Sequence, residues 1–211
     1  VTGQSFERYL KKQGEAYEIY DANVKGSNII NRLPDRKKLD SYKMIYLSPG
    51  INIRKIYSGG EFNNIPYTTD LDIFFKEDNS VKIGITGTNG KSTCCYHLHQ
   101  LLAGSQLIGN IGTPVLDNIN SCSYSIIEIS SFQLEKLKDI NLDFGVLLNI
   151  TPDHIDHHGS FAEYKKIKNK IKKSKISTKQ SNPKKLWSMI TGKEESEVKD
   201  IKLLDLPHRL E

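Results

Sequence analysis

The run Gly84-Ile85-Thr86-Gly87-Thr88-Asn89-Gly90-Lys91-Ser92-Thr93 follows the apolar stretch Val81 to Ile85, where a strand should feed a helix. Glycines at such a turn bring backbone N–H groups against phosphate oxygens. A lysine adds a point charge, and a neighbouring hydroxyl can hold Mg²⁺. Gly87, Thr88, Asn89, Gly90, Lys91, Ser92 and Thr93 are therefore expected to bind ATP. The strict spacing G-x-x-x-x-G-K-[ST] is not met, because its first glycine would fall on Ile85. A glycine-rich hairpin is the competing reading, but a hairpin has no use for Lys-Ser-Thr at the start of a helix.

Two other groups invite chemistry. Glu128 follows an apolar segment, which would set its carboxylate at a strand's carboxyl end beside the phosphate loop, where Mg²⁺ needs a hard oxygen ligand. A surface glutamate capping the next turn is the alternative. Asp153-His154-Ile155-Asp156-His157-His158 suggests a transition-metal site. That reading is set aside, because residues so close in one loop cannot all converge on a tetrahedral centre. His157 and His158 then read as solvated.

The elements that must position these groups alternate in type. Phe6, Tyr9 and Leu10 recur at helical spacing, Tyr17 to Tyr20 reads as a short strand, and Asp21 stands at its carboxyl end. In a Rossmann-like opening, ligands bind beyond such strand ends, where an acidic residue can meet a sugar hydroxyl. A second strand, Lys43 to Leu47, runs into Ser48-Pro49-Gly50, and a helix is expected over Thr69 to Lys76. The polar linker Glu77-Asp78-Asn79-Ser80 marks a domain boundary. Beyond it come the Val81 strand, a helix from Lys91 to about Ala103, and strands at Tyr124 to Ile129 and Phe144 to Ile150. Ser160-x-x-Glu163 has the form of a capping box, so a helix should run from Phe161 to about Lys175. Strands alternating with helices imply an α/β fold with a parallel sheet. The expected division is a Rossmann-like domain over 1–77, a central ATP-binding domain over 78–176, and an irregular or helical tail over 177–211 with a helix around Lys184 to Ile190.

Composition narrows the function classes. A hydrophobic fraction of 37% over 211 residues suffices for a packed core. No stretch approaches the roughly 18 to 20 apolar residues of a membrane span, and no basic-then-apolar leader opens the chain. No membrane partner is expected, and the expected compartment is the cytoplasm. Cys94, Cys95 and Cys122 form no C-x-x-C pair, suit a reducing interior and read as helix and strand filler. The net charge of +5 and the lysines between Lys165 and Lys185 could suggest nucleic acid, but no aromatics are interleaved there to stack on bases. No nucleic-acid partner is expected.

Taken whole, T-G-T-N-G-K-S-T resembles the nucleotide loop of the Mur ligases, which build the peptide stem of bacterial cell-wall precursors. Ser48-Pro49-Gly50-Ile51, Gly109-Asn110-Ile111-Gly112, Ile127-Glu128-Ile129-Ser130-Ser131-Phe132-Gln133-Leu134-Glu135, Asn149-Ile150-Thr151-Pro152-Asp153-His154 and Leu206-Pro207-His208-Arg209 follow in the family's order. They resemble its D-glutamate-adding branch.

The resemblance implies an ATP-dependent ligase joining UDP-N-acetylmuramoyl-L-alanine to D-glutamate through an acyl phosphate, with two Mg²⁺ ions, acting as a monomer. It makes Lys91, His154 and Lys168 the catalytic residues. Ser92, Glu128, His154 and a carbamylated Lys168 become the metal ligands, and Arg209 reaches ATP phosphate. Thr2, Asp21, Gly50, Asn110, Ser130 and His154 become substrate-binding residues, while Asn23 departs from the family's usual basic residue. Spacing alone would leave Lys168 one lysine among many on a solvated helix face; the register of Tyr164 and Lys168 behind His154 carries the assignment. The resemblance also implies a first strand ahead of Val1, an incomplete central domain and a missing carboxyl-terminal domain. A catalytically inactive module that keeps nucleotide or precursor affinity is the alternative. A folylpolyglutamate-synthase-like ligase is a weaker one, against which the E-I-S-S-F-Q-L-E run speaks.

Overall fold

Phe6 and Leu10 lie one helical turn apart and bury one face of α1 (Thr2–Gln13), with Leu39 and Leu47 also buried. The computed structural model describes residues 2–26, 29–32, 34–52 and 66–206. The chain divides into two units, Val1–Asp70 and Leu71–Glu211. In the first, β1 (Ile19–Tyr20) pairs in parallel with β2 (Ile29–Ile30), and β3 (Ile45–Leu47) with β4 (Tyr67–Thr69). Asp35 starts the short helix α2 (Arg36–Asp40) by accepting the Lys38 N–H at 2.9 Å. Helix α3 (Asp70–Glu77) leads out of β4, close to the span its sequence predicts.

The second unit is built on a parallel sheet. Its strands are β5 (Val81–Thr86), β6 (Ser105–Gly109), β7 (Tyr124–Glu128), β8 (Phe144–Leu147) and β9 (Ile176–Thr178), in the order β6-β7-β5-β8-β9. Ile83, Ile85, Ile126, Ile127 and Val146 are fully buried. Strands covered on both faces read as continuous apolar runs, which is why these three were legible in the sequence. Helices α4 (Lys91–Leu101), α5 (Ser131–Lys136), α6 (Ile155–His158), α7 (Phe161–Asn169) and α8 (Pro183–Thr191) complete the unit. Among the described residues, no helix is long and apolar enough to cross a membrane.

Several expectations change: the strand from Phe144 stops at Leu147, and β6 has no counterpart in the sequence reading. The helix from Phe161 stops at Asn169 and tightens into a 3₁₀ turn over Lys170–Lys173. That turn lies so close to β8 that a Cβ on Gly145 would sit 2.2 Å from Ser174 Oγ and 2.6 Å from the Ile171 carbonyl oxygen. Next, the stretch after Lys175 is more ordered than its polar composition suggests. Ile176–Thr178 adds a fifth strand, and Asn182 and Pro183 start α8, whose Leu186 and Trp187 enter the same apolar cluster as Cys94, Cys95 and Leu98 of α4. Cys94 and Cys95 do fill a helix face, but Cys122 lies in the turn before β7 rather than on a strand.

If α8 belongs to the core, Trp187→Ala should cost about 3–5 kcal/mol of unfolding free energy. Urea denaturation followed by far-ultraviolet circular dichroism checks this, and an unchanged midpoint would detach the helix from the core.

Candidate functional site

Strand β5 ends on Thr86 and delivers the turn Gly87-Thr88-Asn89-Gly90 to the start of α4. Gly90 takes a left-handed conformation, with φ of 80°, which a side chain would strain. It offers no side-chain cap, so the helix's first N–H groups face outward with their partial positive charge, as an anion requires. The turn is splinted from the chain after β8. Asn149 accepts the Thr88 N–H on its carbonyl oxygen at 3.0 Å and the Asn89 N–H on Oδ1 at 2.9 Å, and returns Nδ2 to the Asn89 carbonyl at 2.9 Å. Thr88 Oγ1 accepts the Thr151 N–H at 3.0 Å.

Glu128, at the end of β7, is fully buried. Ser92 Oγ donates to its Oε2 at 2.7 Å, and Asn110 Nδ2 donates to Oε1 at 2.7 Å. Both partners are neutral. The alternative of a surface glutamate capping the next turn does not hold. Ser130 caps α5 instead, in a reciprocal capping box with Gln133.

Lys168 is only 2% exposed. Its Nζ donates to Thr86 Oγ1 at 2.9 Å and to the Gly87 carbonyl at 3.0 Å. Burial, with the positive charge of Lys91 second, pushes its ammonium down to about 7. Lys91 itself folds back, donating Nζ to the Thr88 carbonyl at 2.9 Å.

His154 precedes α6 with φ of 49°, and its ring lies 4.9 Å from that of Phe132. Among the described residues, Gly87, Lys91, Ser92, Asn110, Glu128, Ser130, His154 and Lys168 line one cavity of about 210 Å³. Phe132, Asp153 and Tyr164 line it too.

Other predicted residues stand apart. Thr88 and Asn89 shape the turn, and Thr93 is exposed on α4. Thr2, Asp21 and Gly50 belong to the first unit. Thr2 opens α1 and Gly50 lies in the turn after β3, while Asp21 Oδ1 accepts the N–H groups of Asn23 at 2.8 Å and Val24 at 3.1 Å, closing a local turn. Arg209 lies outside the described residues.

Sequence reasoning missed Thr86 and Asn149 as supports, and no local signal marks the Thr86–Lys168 bond, whose partners are 82 positions apart. It also misread two histidines. His158 is 3% exposed and His157 is half-buried, because both pack on the Phe132 ring, at 5.6 Å and 4.5 Å.

Comparison with known proteins adds a family. Residues 85–181 match the Mur ligase middle domain. The UDP-N-acetylmuramoylalanine–D-glutamate ligase of Rickettsia prowazekii is 36% identical over 184 residues, 81% of this chain and 41% of the relative. That of Wolbachia pipientis is 47% identical over 109 residues, 49% of this chain and 21% of the relative. A solved pseudomurein peptide ligase type C from Methanothermus fervidus is similar with a TM-score of 0.41 and 22% identity, over 82% of this chain and 41% of that one. The chain spans less than half the length of the curated relatives it matches.

The depressed Lys168 ammonium is measurable. Nuclear magnetic resonance titration of lysine side chains, assigned with Lys168→Met, should find one group titrating near 7 against an ordinary value of 10.5. The unfolded chain keeps that proton up to about 10.5, so folding releases it. The parent should therefore gain stability relative to Lys168→Met as the pH rises from about 7 to about 10.5. An ordinary titration for Lys168 would contradict its burial as a neutral amine.

Proposed function

Because residues 85–181 match the Mur ligase middle domain, we propose that the second unit is the nucleotide- and Mg²⁺-binding part of an ATP-dependent amide ligase of peptidoglycan precursor synthesis. We further propose that the amide joins D-glutamate to UDP-N-acetylmuramoyl-L-alanine, in the cytoplasm. One observation carries the reading. A fully buried carboxylate, Glu128, is joined to the Ser92 hydroxyl at the first turn of a helix whose N-terminus is uncapped. Such a carboxylate costs free energy unless something uses its charge.

The residues present fit the groups this function needs. Ser92 and Glu128 offer hard oxygens, which Mg²⁺ prefers, and His154 lines the same cavity. When bound, Mg²⁺ would supply positive charge against the charge that develops on a transferring phosphoryl group. Lys168 is suited to carbamylation. An amine that ionises near 7 is largely neutral in mildly alkaline solution; its lone pair can attack CO₂, and the nitrogen then gives up one proton to solvent. The product presents oxygen atoms in place of an ammonium that would repel a cation.

Lys91 would leave the Thr88 carbonyl for the β- and γ-phosphates, with the N–H groups of the turn and of the first turn of α4 around them. The precursor's terminal carboxylate would attack the γ-phosphate to give an acyl phosphate and ADP. The amine of D-glutamate would then displace phosphate and form the amide. Asn110, Ser130 and His154 would line the path of the reacting carboxylate. Thr2 and Asp21 would serve the uridine diphosphate end, Gly50 would belong to the path of the reacting carboxylate, and Arg209 would add a guanidinium to ATP phosphate.

Calorimetric titration with Mg²⁺-ATP tests this reading. The parent chain should bind saturably, and Lys91→Ala should bind at least tenfold more weakly, about 1.4 kcal/mol. Equal binding by both proteins, or by neither, would overturn the nucleotide site. A separate titration with UDP-N-acetylmuramoyl-L-alanine should also saturate; no binding would remove the precursor from the proposal.

A further inference from the structure

Behind the Phe132 ring, Glu135 of α5 meets His157 and His158 of α6. The three offer a carboxylate oxygen and two imidazole nitrogens, all within 4.8 Å of one another. His157 Nε2 lies 2.8 Å from Glu135 Oε2. His158 adds an independent sign. It is 3% exposed and its Nε2 bonds to Ser131 Oγ at 3.0 Å, yet its buried Nδ1 has no hydrogen-bond partner.

A metal-ligating histidine characteristically donates its second ring N–H to a fixed oxygen, which sets the tautomer and orients the ring. Ser131 is that oxygen here, and Nδ1 is the atom left over. The donor set of two imidazoles and one carboxylate is borderline-soft and suits Zn²⁺ better than Mg²⁺. It is thus chemically distinct from the hard oxygens of Ser92 and Glu128. Ligands of one tetrahedral zinc ion stand roughly 3.4 Å apart, so small side-chain rotations would close this set.

We propose that Glu135, His157 and His158 form a binding site for a divalent transition metal of the zinc class, with solvent completing the coordination. The ion ties α5 to α6. Phe132, whose ring is 4.5 Å from that of His157 and 4.9 Å from that of His154, carries that restraint to the wall of the cavity. The proposal uses none of the residues assigned to nucleotide, so the two readings stand or fall separately.

The test uses the 211-residue chain carrying Cys122→Ser, which removes the one cysteine that is not buried. Zn²⁺ alone is titrated against a chromophoric chelator, and Co²⁺ alone is followed by visible absorption. One Zn²⁺ should bind per chain, and Co²⁺ should give ligand-field bands without thiolate charge transfer. Glu135→Gln, which conserves shape, and His157→Asn should each weaken Zn²⁺ by tenfold or more. Each is compared with its own metal-free melting temperature and should lose the rise that metal gives the parent. Absent binding in the parent, or unchanged affinity and melting shift in both variants, would overturn the site.

Discussion

The structure depends on a carboxylate buried without a cation in hydrogen-bonding contact. Glu128 is held at the end of β7 by one hydroxyl and one amide, and those two donors come from different elements. Ser92 requires α4 to begin where it does, and Asn110 requires β6 to end beside β7, in a register that pairs Gly109 with Glu128. A buried charge left with weaker partners would cost several kcal/mol, so the strand ends and the turn are specified together. Lys168 repeats the arrangement at the end of β5, where Thr86 and Gly87 receive its amine. One acidic and one basic side chain are thus buried around the cavity beside that turn. A charge held this way, as on Glu128, interacts more strongly with an arriving ligand than a solvated one would.

What lies further out keeps that turn in place. Asn149 ties it to the end of β8, and β8 in turn packs so closely on the Ile171–Ser174 turn that only glycine fits at 145. Helix α8 covers α4 through Leu186 and Trp187, which fixes the helix whose first residues face the cavity. The sheet core and the site are therefore one construction. A loosened α8 would be felt at Ser92 through α4.

The sequence made part of this legible. An apolar run followed by Gly-x-x-Gly-Lys-Ser-Thr announces a strand, a turn and a helix, because each local preference agrees with the next. Glu128 could be placed at a strand end by counting, but its burial could not, since that depends on Asn110 and Ser92 arriving from elsewhere. Lys168 illustrates the limit. Nothing in Lys165-Lys166-Ile167-Lys168 separates a buried lysine from solvated ones; the resemblance singles out Lys168 for a ligand role, and its burial comes from tertiary packing. His157 and His158 were misjudged for the converse reason, since polar residues near a loop read as exposed until Phe132 and Ser131 are brought against them. The strand at Ile176–Thr178 is edge-on and short, so its polar composition hid it.

Lys168 is a buried amine that loses its proton near pH 7, and we propose that it becomes an anionic oxygen ligand in the cavity that Glu128 also lines. Carbon-13 magnetic resonance of the chain equilibrated with ¹³C-bicarbonate tests this most directly. A carbamate resonance should grow as the pH rises through about 7 and be missing from Lys168→Met. A parent chain with no carbamate signal across that range, or with one that survives in Lys168→Met, would contradict it.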